Sequence, residues 1–342
     1  MTDVWTRIRS TSKPIFLYGM GNGADKLIDI LKDMGIRPEG VFASDDFVRH
    51  QLFRGFTVSS YAEAKGVFPE MMVLIAFGSS LEDVMGNMKR IASEQETYAP
   101  CLPLFGKVVF DQPFYDTHKD ELDTVRSFLS DDVSVRTFDS VISYKLTGSM
   151  EDLFSCEMPR KETFSLFSLG EAPCYFDAGA YDGDTIREFV SLYPSHGKIY
   201  GAEPDIRTFR KLVSNTSDIP STMLWNTCTG DRDSMISFAS RGGRNSSVGA
   251  GKKVAISRID TITSGNRVDL IKYDVEGEEL SSLMGSELTI RKYRPVLIVS
   301  AYHRSEDLYS LPLFIKKMCP DYRVYMRHYP YVPDWDTNYI FV

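Results

Sequence analysis

The sequence predicts an α/β protein: a mostly parallel seven-stranded sheet over residues 172–342, preceded by a second, smaller Rossmann-like unit over residues 10–105. Three observations predict it. Short apolar runs alternate with stretches of helical apolar spacing, as in a parallel sheet wound with crossover helices. Two of these runs, Ile15–Tyr18 and Tyr175–Asp177, lead straight into glycine turns. Acids then stand at successive strand ends, Glu203 in KIYGAEPD and Asp274 in DLIKYDVEGEE.

In the first unit, the strand Ile15–Tyr18 is followed by the turn Gly19–Gly23 and a helix over Ala24–Met34, with Leu27, Ile30, Leu31 and Met34 on one face. A second strand, Gly40–Ala43, ends at Asp45–Asp46. Met72–Phe77 is a third, followed by a helical pattern over Leu81–Ala92. Residues 106–171 read as a mainly helical connector, with helices expected over Asp116–Ser130 and Asp132–Gly148, packed on one or both units. In the second unit the expected strands are Tyr175–Asp177, Ile199–Ala202, Met223–Cys228, Leu270–Tyr273, Val296–Ser300, Tyr322–Met326 and Asn338–Val342. The last two are placed as an antiparallel edge. The helices between are Thr185–Leu192, Ile206–Val213, Glu278–Leu288 and Leu308–Met318.

Bulk properties exclude several functions. At 342 residues the chain is long enough for two cores. The net charge is −8 and no basic run exceeds three residues, which argues against a nucleic-acid or anionic-membrane partner. Five scattered cysteines without a C-x-x-C fit reduced thiols better than disulfides or zinc. No window approaches the roughly 18 apolar residues of a membrane span. A cytoplasmic protein acting on a small-molecule or glycan partner is the expectation.

The segment CYFDAGAYDG carries the chemistry. Strand, glycine turn, helix and a strand ending in an acid build a nucleoside pocket. The glycines let a ligand approach the backbone, and the acid takes ribose hydroxyls. Asp177, inside the first turn, repels a pyrophosphate but suits a ligand with a cationic amino-acid end, such as S-adenosyl-L-methionine. Asp177 can reach that amino group directly or through water, while Gly179 and Gly183 clear a path for the methionine and ribose. Glu203 can accept from both ribose hydroxyls. Cys228 follows the third strand, beside the adenine or simply buried; Asn226, Thr227 and Thr229 share that ambiguity.

Asp274 stands at the carboxyl end of its strand, where ligands bind in open α/β sheets, and is read as a base or as an orienter of the acceptor. Lys272, two residues earlier, points to the same side and can pair with a carboxylate. Two readings stand for Glu276, a site residue or a charge capping the next helix. Two also stand for His303, a base near neutral pH or a solvated loop histidine; His328 is weaker. Asp274, Glu276 and His303 lack the dense carboxylate spacing of a metal site, and no metal is expected. The segment Ser240–Lys253, SRGGRNSSVGAGKK, is a solvated loop or a basic lid over the acceptor.

These blocks resemble the FkbM family of methyltransferases over most of residues 174–342. The family's D-x-G-A-x-x-G-D turn is matched by Asp177, Ala178, Gly179, Ala180, Tyr181, Asp182, Gly183 and Asp184. Its E-P-D is matched by Glu203, Pro204 and Asp205, and its K-x-D-x-E-G by Lys272–Gly277, followed by RPVLIVSAYH at Arg294–His303. The resemblance implies a methyltransferase-type sheet and methyl transfer from S-adenosyl-L-methionine to a hydroxyl of a glycan, glycolipid or natural product. It requires no metal, and it places Ala180, Tyr181, Asp184 and Pro204 with Asp177, Gly179, Gly183 and Glu203 around the cofactor.

In the first unit, Gly19-x-Gly21-x-x-Ala24 fits a dinucleotide turn, with Asp45 where a ribose-binding acid would stand. Residues 15–78 resemble the N-terminal domain of bacterial sugar acyltransferases in GMGNGA, GVFASDD and LIAFGSS. A substrate-presenting or vestigial role is expected in preference to a redox one, because Tyr61 and Lys65 lie far from where dehydrogenase chemistry sits. Two alternatives remain: an NAD- or nucleotide-sugar enzyme working through the first unit, and a non-catalytic S-adenosylmethionine-binding protein.

Overall fold

The computed structural model describes residues 2–44, 47–239, 247–248 and 252–342. Two sheets dominate it. The smaller is fully parallel, with Ser59–Ser60, Gly40–Ala43, Ile15–Tyr18, Met72–Ile75 and Glu96–Tyr98 side by side in that order. Its central strands are buried along their whole length, as expected where helices cover both faces. The larger sheet runs Thr222–Trp225, Ile199–Ala202, Tyr175–Ala178, Leu270–Tyr273, Val296–Ser300, Thr337–Phe341, Val324–His328. Only Thr337–Phe341 is antiparallel to its neighbours. This is the mostly parallel seven-stranded sheet expected, reversing direction between Tyr175–Ala178 and Leu270–Tyr273.

Three expected elements are divided. The strand Met223–Cys228 breaks at Asn226. Thr222–Trp225 stays in the large sheet, while Thr227–Thr229 joins a separate four-stranded sheet with Ser234–Ala239, Ser247–Val248 and Lys252–Ser257. The helix expected over Glu278–Leu288 is two, Glu279–Met284 and Glu287–Tyr293. Gly285 lies between them, where a Cβ would sit 1.9 Å from the Gly230 carbonyl oxygen. The Asp260 carboxylate restarts the helix by accepting from Leu288 N and Thr289 N at 3.2 and 2.8 Å. The helix Asp116–Ser130 is likewise two, Gln112–Thr117 and Lys119–Ser127. The segment Ser240–Lys253, read as a solvated loop or a basic lid, lies mostly outside the described residues, and Asp45 lies outside them too.

The connector packs on both units. Its helix Asp132–Thr147 is capped by Asp131 at one end and by left-handed Gly148 at the other. It covers the outer edge of the large sheet: the Ser130 and Ser134 hydroxyls accept from Val324 N and Met326 N at 2.9 and 3.0 Å. Arg327 pairs with Asp131 at 2.6 Å. An edge strand whose amides are taken by side chains offers nothing to a foreign strand. One apolar core joins Phe16 and Phe42 of the small sheet, Phe110 and Phe138 of the connector, and Phe176 and Tyr273 of the large sheet. No helix among the described residues is long and apolar enough to cross a membrane.

Candidate active site

A cavity of about 230 Å³ opens at the carboxyl edge of the large sheet, where the strand order reverses. One end is walled by Gly179, Tyr181, Glu203, Pro204, Thr227 and Cys228. Glu203 is buried, and its Oε1 accepts from Asp205 N at 2.7 Å. Burial pushes its carboxyl up to about 7. Asp205 in turn caps the helix Ile206–Asn215 through Arg207 N and Thr208 N. Asn226 donates to the carbonyls of Glu203 and Pro204, so it holds this turn from outside the cavity. Cys228 lines the wall, its thiol pushed up to about 12 by burial and so kept protonated.

The turn itself corrects part of the expectation. Gly179 has φ 82°, and a Cβ there would lie 1.8 Å from the Asp274 carbonyl oxygen. Gly183, with φ 92°, packs against Thr216 and Leu212. Both glycines are therefore required by the close packing of the turn, and only Gly179 also borders the cavity. Ala180 and Gly183 stay outside it, whereas Tyr181, Asp184 and Pro204 are on it. Asp177 lies beneath the floor with no exposed surface. Its carboxylate accepts from the Thr185 hydroxyl and sits 3.6 Å from Lys272 Nζ, which removes the expected direct contact with a ligand. Burial raises its proton affinity, with Lys272 and Thr185 opposing.

At the other end stand Lys272, Asp274, Glu276 and Tyr302. Asp274 takes Lys272 Nζ at 3.3 Å and the Tyr302 hydroxyl at 2.9 Å. Burial would raise its carboxyl, but Lys272 and His303 hold it well below the usual range. Asp274 is thus a fixed anion and a poor base. His303 is neither a solvated loop residue nor a neutral base. It is 1 % exposed, with Nε2 3.6 Å from both Asp274 Oδ1 and Glu276 Oε2 and Nδ1 2.9 Å from Glu279 Oε1. Burial alone would lower it; the carboxylates push it up to about 10. Glu279, in the first turn of the helix Glu279–Met284, accepts from Val275 N and Gly277 N and so holds the preceding turn. Asp274, Glu279 and His303 bring ligand-type atoms within 4.8 Å of one another. His328 is buried against Thr337 at 2.9 Å and kept neutral, its value lowered to about 4 by burial.

Lining residues that the sequence reading did not assign to the site include Ser80, Arg160, Tyr302, Tyr331, Trp335 and Asp336. Ser80, Arg160, Tyr331, Trp335 and Asp336 come from the loop after the small sheet's Met72–Ile75 strand, the connector and the hairpin before the last strand. Ser79 and Val332 exchange backbone hydrogen bonds at 2.9 and 3.1 Å, laying that hairpin over the cavity. Arg160 donates to Glu188 at 3.0 Å and lies 3.8 Å from Asp336.

Two glycines of the small sheet's dinucleotide-like turn are set by packing, whereas Gly21, at φ 120°, has nothing within 4 Å of a Cβ position. A Cβ on Gly19 would meet the Phe77 ring at 2.4 Å, and one on Gly23 the Ala76 carbonyl oxygen at 2.2 Å. Tyr61 and Lys65 both bond Glu94.

With this geometry in hand, residues 177–333 match the family model described as the methyltransferase FkbM domain. Residues 177–333 are an FkbM methyltransferase domain. A solved FkbM methyltransferase from Methylobacillus flagellatus KT shares the fold over 98% of this chain and 92% of its own, with a TM-score of 0.75 at 20% identity. Aeropyrum pernix fibrillarin, solved with natively bound S-adenosyl-L-methionine, aligns with 53% of this chain and 71% of its own at 15% identity and a TM-score of 0.34. No curated protein matches the chain. The protein is an S-adenosylmethionine-dependent methyltransferase. The matched residues contribute most of the large sheet and of the cavity, while the strand Thr337–Phe341 and the lining residues Ser80, Arg160, Trp335 and Asp336 fall outside them.

Proposed function

We propose that this enzyme methylates a hydroxyl of a saccharide-type small molecule or glycan. The observation that carries the reading is a single cavity with a nucleoside-type end, at Gly179, Glu203 and Cys228, continuous with a carboxylate- and aromatic-lined end, at Asp274, Trp335 and Asp336. The first end fits S-adenosylmethionine. A buried carboxylate beside a turn of backbone at Gly179 meets a ribose, and the cavity opens where the sheet order reverses. S-adenosylmethionine, held by Glu203, Gly179 and Tyr181, would supply an electrophilic methyl group to an acceptor oxygen placed beside Asp274.

The chain's own residues then have distinct tasks. Glu203 holds the ribose, and Gly179 and Tyr181 shape the passage. Asp274, kept ionised by Lys272, orients the acceptor hydroxyl. Tyr331 and Trp335 present ring faces suited to a sugar, with Asp336 and Arg160 as polar contacts. Asp177 acts through Lys272 and Thr185. The small sheet closes the acceptor end through Ser80, which gives it a substrate-presenting role. The domain limits 10–105, 106–171 and 172–342 belong to the same reading.

Calorimetric titration of S-adenosylmethionine and S-adenosylhomocysteine into the wild type and Glu203→Ala tests it. Micromolar binding in the wild type, weakened by roughly 1–3 kcal/mol in the variant, is the expected result, the scale of hydrogen bonds to a charged group. Equal affinity in both would show that the ribose lies elsewhere. S-adenosylhomocysteine release on addition of sugars then identifies the acceptor.

A further inference from the structure

We propose that Asp274, Glu276 and His303 form a divalent-cation site at the acceptor end of the cavity, with Glu279 orienting the imidazole. This reverses the expectation of no metal, and it rests on the methyltransferase reading only for what the ion would do. Two observations carry it. First, His303 Nε2 is 3.6 Å from both Asp274 Oδ1 and Glu276 Oε2, so one nitrogen and two carboxylate oxygens converge. Both carboxylates line the cavity, which leaves that side open for water or substrate. Second, the opposite ring nitrogen faces a carboxylate: His303 Nδ1 is 2.9 Å from Glu279 Oε1. A ligating histidine characteristically gives its other N–H to a carboxylate, which fixes the ring and raises its basicity. Glu279 is itself fixed by the amides of Val275 and Gly277, the turn that presents Asp274 and Glu276, and its Oε2 is fully buried without a hydrogen-bond partner.

Two carboxylates and an imidazole suit ions that accept mixed oxygen and nitrogen ligands, and Mn²⁺ is the natural probe. Tyr302 and Lys272, already bonded to Asp274, would hold that ligand in place as outer partners. An ion here would polarise the acceptor hydroxyl and ease loss of its proton, a task that Asp274 alone performs poorly.

The test uses the full chain, freed of metal by a chelator. Mn²⁺ is titrated by calorimetry in buffers of different ionisation heat and by electron paramagnetic resonance. One site of micromolar affinity, with proton release on binding, is expected. His303→Gln and Asp274→Asn should weaken binding at least tenfold, and Glu279→Gln about 10–100-fold, each confirmed folded by circular dichroism. No saturable binding up to millimolar Mn²⁺ in the folded wild type overturns the site, as does affinity unchanged in His303→Gln. S-adenosylhomocysteine is titrated separately with chelator present. Its binding without Mn²⁺ binding removes only the metal site, and Mn²⁺ binding without it removes only the methyltransferase assignment of the cavity.

Discussion

Glu203 is buried at the end of the cavity proposed for the nucleoside, with its carboxyl pushed up to about 7, so protonation near neutral pH opposes the carboxylate form. A ribose selects the carboxylate, which accepts from both hydroxyls. The sign follows: above pH 7 the binding form is present and affinity is flat, whereas below pH 7 a proton must be displaced first. S-adenosylhomocysteine affinity should therefore fall up to about tenfold per pH unit below 7, and Glu203→Gln should abolish that slope. A pH-independent wild type would show that Glu203 does not meet the ribose. Asp274 behaves oppositely, anchored as an anion by Lys272 and Tyr302. Asp274→Asn should keep S-adenosylhomocysteine affinity within about twofold while turnover drops about 10²-fold or more. Full turnover in that variant would remove Asp274 from the mechanism.

Among the elements, the turn after the first strand of the large sheet is the most tightly constrained. Gly179 lies against the Asp274 carbonyl, so the turns proposed to hold the cofactor and the acceptor are in contact through backbone. Gly179→Ala must push the Asp274–Gly277 segment away, costing about 1–3 kcal/mol by overpacking and adding strain at φ 82°. Loss of S-adenosylhomocysteine binding and a lower melting temperature are both expected, by calorimetry and thermal unfolding. An unchanged melting temperature would show that the two turns are not packed as described. The hairpin from Tyr329 to Asp336 is equally placed by contact, since Ser79 pairs with Val332 and so brings Trp335 over the cavity.

Across the whole molecule, a buried ion pair ties three regions together. Lys145 of the connector meets Asp334 of the hairpin at 2.5 Å, both 1 % exposed, and Cys101, just after the small sheet, contacts both. Breaking such a pair strands a buried charge, so Lys145→Met should destabilise by about 3–5 kcal/mol, and replacing both partners with apolar residues should recover most of it. Denaturant unfolding measures this, and a loss below 1 kcal/mol would show the pair to be solvated. Because one core runs through both sheets and the connector, the same experiment should show a single transition for the full chain.

The central strands were legible because parallel strands covered on both faces are uninterrupted apolar runs. Ile15–Tyr18, Gly40–Ala43, Ile199–Ala202, Leu270–Tyr273 and Val296–Ser300 begin and end where that pattern does. Asp177, Glu203 and Asp274 were legible for a related reason, as polar residues at the ends of such runs. Tertiary contact decided the rest. Asn226 breaks a strand to hold the Glu203 turn, Gly285 splits a helix to pass Gly230, and His303 becomes a cation because three carboxylates surround it. Ser80, Arg160, Trp335 and Asp336 reach the cavity from distant parts of the chain. Local sequence determined which residues form strands and where the sheet's carboxyl edge carries acids, since periodicity and turn chemistry act over a few residues. Protonation states, the closed acceptor end and the convergence of Asp274, Glu276 and His303 depend on burial and on groups brought together by folding, which no short stretch of sequence contains.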